Sequence, residues 1–241
     1  RIAIASPPRT NRPRAVPQSD QTLTVAQMRA AEQALIDAGS CVDALMQTAG
    51  RGAAEWVWRL SGGRAVTVLA GPGNNGGDGY VIAEAIRERG GQVRVIAAMP
   101  PQTPAARNAR ALWQGEVLGP QAEVAGEVLV DCLFGSGLTR ALSPEHAALL
   151  NRLAASHARR VAIDLPSGVD SDLGQPLGRD LPDYDLTVAL GAWKFAHLLM
   201  PASAMMGVLR LVPIGVAVVD GAARTIARPA LAAPGADAHK Y

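Results

Sequence analysis

The chain has 241 residues, 49% hydrophobic and 18% charged, which suits one sizeable domain with a full core better than two small ones. A formal net charge of +2 is too small to point to nucleic acid or a membrane surface as partner. No apolar run approaches the roughly 18 residues that span a bilayer.

Residues 1–21 are rich in Pro, Arg and polar residues and read as a disordered arm; its four arginines, Arg1, Arg9, Arg12 and Arg14, read as a solvated charge run. The opening RIAIASPPRTNRPRA lacks the apolar centre of a secretion signal. Cys41 and Cys132 offer neither a disulfide framework nor zinc spacing, which fits a reducing compartment or two buried thiols, and the cytoplasm is the expected location.

Thr24 followed by Gln27 predicts a capping box, and Val25, Met28, Ala31 and Leu35 recur at helical spacing until Gly39-Ser40. A second helix is expected from about Asp43, with Leu45, Met46, Ala49, Ala53 and Val57 on one face, stopped by Ser61-Gly62-Gly63. Val66–Ala70 reads as a buried strand. It breaks into the loop Gly71–Gly79 and re-enters a helical pattern from Tyr80 to about Arg89. Further strands are expected at Val93–Ala98, Val117–Leu118, Glu127–Phe134, Arg160–Leu165, Asp185–Leu190 and Val208–Leu211, with helices ending near Trp113 and running from Ser143-Pro144 to about Ser156. Residues 217–238, rich in Ala, Gly and Pro, read as a linker. The alternation predicts an α/β fold, with a mostly parallel sheet, helices on both faces and two helices before the first strong strand. The domain is expected over 22–215, and its two apolar N-terminal helices favour a homo-oligomer.

In such sheets ligands bind beyond the carboxyl ends of the strands. Three polar stretches fall there: Gly71–Asp78, Asp131–Arg140 and Asp164–Asp170. Asp78 also suits a helix N-terminus and Asp131 a cap. Asp164, between Ile163 and Leu165 at the end of an apolar strand, needs a partner or a chemical task. Gly71, Gly73 and Gly76 have the spacing GxGxxG, but the next strand ends Ile96-Ala97-Ala98-Met99-Pro100-Pro101. The acid that would hold a ribose hydroxyl is missing, which disfavours a nicotinamide-dependent dehydrogenase. Asn75, Asp131 and Ser167 would bring together amide, carboxylate and hydroxyl oxygens, a set suited to a weakly charged hard cation rather than zinc. The histidines (His146, His157, His197, His239) form no ligand spacing and read as surface residues.

GPGNNGGDGYVIA, VDCLFGSGLTR and VAIDLPSGVDSDLG, in this order, resemble the YjeF N-terminal domain family; LMQTAGRGAA and LTVALGAWKFAH extend the likeness from about Thr24 to Pro213. The resemblance implies a Rossmann-like α/β/α sandwich and NAD(P)H-hydrate epimerase activity, the interconversion of the R and S forms of hydrated NADH and NADPH. It implies that Asn74, Asn75, Gly76, Gly77 and Asp78, with Gly135, Ser136, Gly137, Leu138, Thr139, Arg140 and Ala141, hold the substrate. Asp164 would face the damaged ring as the catalytic residue, and Asn75, Asp131 and Ser167 would bind a potassium ion. Departures are Gln47 where the family often has Glu, Glu32 where it often has Asp, and Ala196 where Gly is common after Lys194. Glu32 and Gln47 are expected to affect local contacts or subunit pairing; Lys194 would reach a phosphate or stand in solvent. The closing residues His239-Lys240-Tyr241 resemble the opening of an ADP- or ATP-dependent dehydratase domain, expected to follow as the functional partner. The alternative is a non-catalytic interaction module of the same fold. Such modules tend to lose the acid and ion-binding residues, which are kept here as Asn75, Asp78, Asp131, Asp164 and Ser167.

Overall fold

A computed structural model describes residues 20–225; the N-terminal arm up to Ser19 and the closing HKY lie outside the described residues. The chain enters through a short strand, β1 (Gln21–Leu23), and turns into α1 (Val25–Asp37) at Thr24. There the Gln27 N–H donates to the Thr24 hydroxyl and the Thr24 N–H to the Gln27 side chain, the reciprocal cap that the sequence predicts. Next, α2 (Val42–Ser61) ends on Gly62, whose φ of 58° is the left-handed C-terminal cap. The elements that follow are β2 (Val66–Ala70), α3 (Asn74–Glu88), β3 (Val93–Ala97), α4 (Pro104–Leu112), β4 (Val117–Leu118), β5 (Gly126–Cys132), α5 (Pro144–Ala155), β6 (His157–Ile163), β7 (Leu186–Leu190), β8 (Trp193–Lys194), β9 (Val208–Val212) and β10 (Ala223–Arg224).

Seven strands form one sheet in the order β4-β3-β2-β5-β6-β7-β9, every neighbouring pair parallel. Alternation along the strands divides the core into two layers. Val66, Val68, Val128, Val130 and Val161 pack toward α2 and α3, whereas Leu69, Ile96 and Leu129 meet Leu149, Leu150 and Leu153 of α5 on the other face. This is the three-layer α/β/α sandwich expected. The chain winds outward in one direction from β2 and in the other from β5. The β2–β5 pair is therefore the topological switch point, where a crevice opens at the carboxyl ends.

Three sequence expectations are corrected. First, α3 begins at Asn74, not Tyr80, so Gly76, Gly77 and Gly79 lie inside the helix. Second, the strands expected to end at Phe134 and Leu165 stop at Cys132 and Ile163. Asp164 takes a φ of 64°, which leaves the β region and breaks the strand. Third, the segment read as a linker from residue 217 folds back as far as it is described, and β10 pairs antiparallel with β1. The Gln21 side chain donates to the Ala217 carbonyl at 2.9 Å and accepts from the Val219 N–H at 3.0 Å. Gln21, placed in the arm by composition, is thus a buried strand residue. On its other side β1 runs parallel to β8, pairing Leu23 with Lys194.

Candidate active site

The crevice at the switch point is a cavity of about 600 Å³. Three chain segments deliver its polar groups. The first is the uncapped N-terminus of α3, with Gly73, Asn74 and Asn75 at the cavity wall and Asp78 one turn deeper. Backbone N–H groups there favour an anion. The Asn74 side chain accepts a hydrogen bond from Thr103 at 2.6 Å. The second is the loop after β5, where Gly135 to Arg140 all line the cavity. The third is Asp164, just beyond β6. Gly76, Gly77 and Ala141 do not line it. A Cβ on Gly76 would lie 1.9 Å from the Gly71 carbonyl oxygen, and one on Gly77 would lie 2.5 Å from Met46. These two glycines let the helix approach its neighbours.

Asp164 is tied down on every side. Its N–H donates to the Val188 carbonyl at 2.8 Å, and its carboxylate accepts from the Ser136 N–H at 3.0 Å and from Lys194 Nζ at 2.5 Å. Lys194 is neither solvated nor free for a phosphate: it is 1% exposed and also donates to the Leu190 carbonyl at 2.6 Å. Burial pushes the Asp164 carboxyl up, but the charge and hydrogen bond of Lys194 outweigh it and hold its pKa below the ordinary value.

Asp78 goes the other way. Burial raises it well above the usual carboxylate range, the charges of Asp164 and Glu32 add to the rise, and Lys194 opposes it. Glu32 of α1 lines the same cavity, and burial raises its carboxyl too. Its position at the cavity ties the departure at this residue to the site chemistry rather than to a remote helix surface. Gln47 stands apart, bonded to Arg51 on α2. Of the basic residues at the cavity, Arg29, Arg140 and Lys194, only Lys194 is buried, and it faces three carboxyl groups, one held ionised and two pushed toward protonation. Such a split separates acid from base.

Asp131 and Ser167 lie behind the cavity. The Asp131 carboxylate is fully buried and accepts from Leu133 N–H, Ser167 N–H, the Ser167 hydroxyl at 2.7 Å and the Tyr184 hydroxyl at 2.5 Å. Among the described residues no basic side chain bridges it. Both polar atoms of the Asn75 amide are buried without a partner. Burial raises the Asp131 carboxyl against the hydrogen bonds that lower it; a buried carboxyl group with no paired cation and an unspent amide oxygen fit a cation with oxygen ligands, which would favour its ionised form.

Sequence reasoning missed Tyr184 and His197. His197 is buried, its Nδ1 accepting from the Lys194 N–H at 2.9 Å and its Nε2 bonding the Asp164 carbonyl at 2.8 Å. Burial, aided by the charge of Lys194, lowers its pKa to about 4 and keeps the ring neutral. His157 is also buried, bonded to Thr67 at 2.9 Å and to the Leu153 carbonyl. The surface reading is therefore corrected for both; His146 is half-buried against Phe134, and His239 lies outside the described residues.

Residues 42–196 match the family model described as YjeF-related protein N-terminus. The chain is 38% identical over 165 residues to the NAD(P)H-hydrate epimerase of Achromobacter xylosoxidans, covering 66% of this chain and 78% of that protein. It is 34% identical over 200 residues to the bifunctional NAD(P)H-hydrate repair enzyme Nnr of Synechocystis, covering 80% of this chain but only 38% of that longer protein. The crystal structure of yeast ynu0 shares the fold, with a TM-score of 0.63 at 22% identity over 77% of this chain and 84% of that one. With the family's motifs gathered on one cavity at the switch point, the chain belongs to the family of YjeF-related protein N-termini.

Proposed function

We propose that this domain is an NAD(P)H-hydrate epimerase, an isomerase that interconverts the R and S forms of hydrated NADH and NADPH. The observation that carries the reading is the division of protons in the cavity: Asp164 held ionised on Lys194, Asp78 pushed toward its protonated form. The hydrated ring carries a hydroxyl on the carbon beside the ring nitrogen. When that C–O bond breaks, the nitrogen lone pair forms an iminium cation, and the hydroxyl takes a proton and departs as water. A water then adds to the opposite face and loses a proton, so nothing is gained or lost overall. An epimerase needs a proton donor, an anion beside the cation and a proton acceptor. Asp78, with Glu32 beside it, serves as donor, and Asp164 as anion and acceptor; the proton that Asp164 gains returns to Asp78 through solvent before the next turnover. The N-terminus of α3 and the loop from Gly135 to Arg140 suit the dinucleotide's phosphates.

The test mixes the R epimer of hydrated NADH with the domain and a separate dehydratase specific for the S form. Consumption of the R epimer above its spontaneous rate is expected. Asp164→Asn should remove the acceleration while leaving nucleotide binding largely intact. Near-normal turnover of that variant sinks the assignment.

Asn75, Asp131 and Ser167 are the residues that would hold a potassium ion, which would neutralise the buried carboxylate and keep the loops after β5 and β6 in register. Replacing potassium by tetramethylammonium should then lower the thermal midpoint of the wild type. It should leave Asp131→Asn unmoved, and an equal response of both proteins refutes the ion site. The relatives named as bifunctional repair enzymes support a dehydratase domain as the partner that consumes the S epimer.

A further inference from the structure

His197 lies in the 3-10 turn Phe195–His197, immediately after Lys194. Its ring is 1% exposed and stacks edge-on against Trp193, with centroids 5.5 Å apart. Both ring nitrogens are committed. A nitrogen that accepts a hydrogen bond carries no proton, so acceptance from the Lys194 N–H assigns the proton of the neutral ring to Nε2. That Nε2–H donates to the Asp164 carbonyl at 2.8 Å. One imidazole therefore joins the backbones of the two residues whose side chains form the buried ion pair.

Asp164 needs such a hold. Its φ of 64° is a left-handed conformation that is uncommon outside glycine, although Asp adopts it more readily than most residues. In that conformation its N–H stays on Val188, while its carboxylate reaches both Lys194 Nζ and the Ser136 N–H. We propose that His197 is a positioning residue: its Nε2–H fixes the Asp164 carbonyl and so holds the carboxylate in place on Lys194. The kinetic part of this inference rests on the epimerase reading; the tautomer and the hydrogen bond do not.

Two substitutions separate the ring's two contacts. The terminal amide nitrogen of Gln can take the place of Nε2, whereas the shorter Asn places its amide oxygen near Nδ1 and cannot reach Asp164. His197→Gln should keep kcat within about threefold of wild type. His197→Asn should lower kcat on the order of 100-fold, the scale of a misplaced reacting group, with KM nearly unchanged. Equal kcat values for the two variants overturn the proposal, as does a loss confined to KM. Nitrogen-15 NMR of the wild type supplies a measurement that needs no variant and no turnover. A protonated Nε2 and a bare Nδ1 support the proposal, and a protonated Nδ1 overturns it even if both variants fail to fold. Wild-type protein that fails to accelerate consumption of the R epimer refutes the epimerase reading instead, and leaves the NMR result to judge the bond.

Discussion

Asp78 and Asp164 line one cavity, yet their surroundings drive their protons in opposite directions. The consequence for stability can be signed. Asp78 has a folded pKa above its unfolded one, so between the two the folded state binds the extra proton, and stability falls as pH rises through that window. Asp164 has a folded pKa below its unfolded one. Its contribution is present above the ordinary carboxylate range and is lost as pH falls through the folded value. Asp78→Asn removes only the first effect. The variant's stability relative to wild type should therefore climb as pH rises above about 4, with a slope of at most about 1.4 kcal/mol per pH unit, and then level off. Urea unfolding across the pH range measures it; a difference independent of pH means that folding leaves the Asp78 pKa unshifted.

At the level of elements, helix starts marked by side-chain caps are the ones that the sequence announces. Thr24, and Ser143 with Pro144, open their helices through local hydrogen bonds that a single chain segment carries. The start of α3 is hidden because glycines disfavour helix by about 1 kcal/mol each relative to alanine. Only contacts from β2, α2 and β5 explain why they are there. Asp78, Asp131 and Asp164 were legible as site candidates because each follows an apolar strand or a glycine turn. Lys194 was legible only as a phosphate contact or a solvated residue and His197 only as a surface one, since their partner Asp164 lies about 30 residues earlier in the chain. The close approach at α3 gives its own prediction. Gly76→Ala sets a methyl group against a backbone oxygen that cannot move without shifting the end of β2. A destabilisation of at least about 1–3 kcal/mol is expected, with weakened nucleotide binding because the helix N-terminus is displaced. An alanine variant as stable as wild type means that α3 and the Gly71 turn are not packed as described.

On the scale of the whole molecule, the returning tail and the active site share a small sheet. The order β10-β1-β8 places the chain's first described strand between the segment after β9 and the strand that carries Lys194. Composition alone reads that segment as a linker, because its Ala, Gly and Pro content hides two hydrogen bonds made by one distant side chain. Gln21 is 3% exposed and satisfies both the Ala217 carbonyl and the Val219 N–H. Its loss removes two hydrogen bonds, at a net cost of about 1–3 kcal/mol for the pair. The ion pair of Arg224 with Asp20, in which one guanidinium nitrogen donates to both carboxylate oxygens, closes the same sheet but stands in solvent, where a pair contributes about 1 kcal/mol or less. Gln21→Ala should therefore lower the thermal midpoint by roughly 2–12 °C, as a domain of about 200 residues shifts about 2–4 °C per kcal/mol. Arg224→Ala should shift it by less than about 4 °C. Because Leu23 pairs with Lys194, the first variant should also reduce epimerase turnover at temperatures well below its midpoint, while the second leaves turnover alone. If Gln21→Ala unfolds earlier but turns over normally when folded, the small sheet supports stability without holding Lys194 in place.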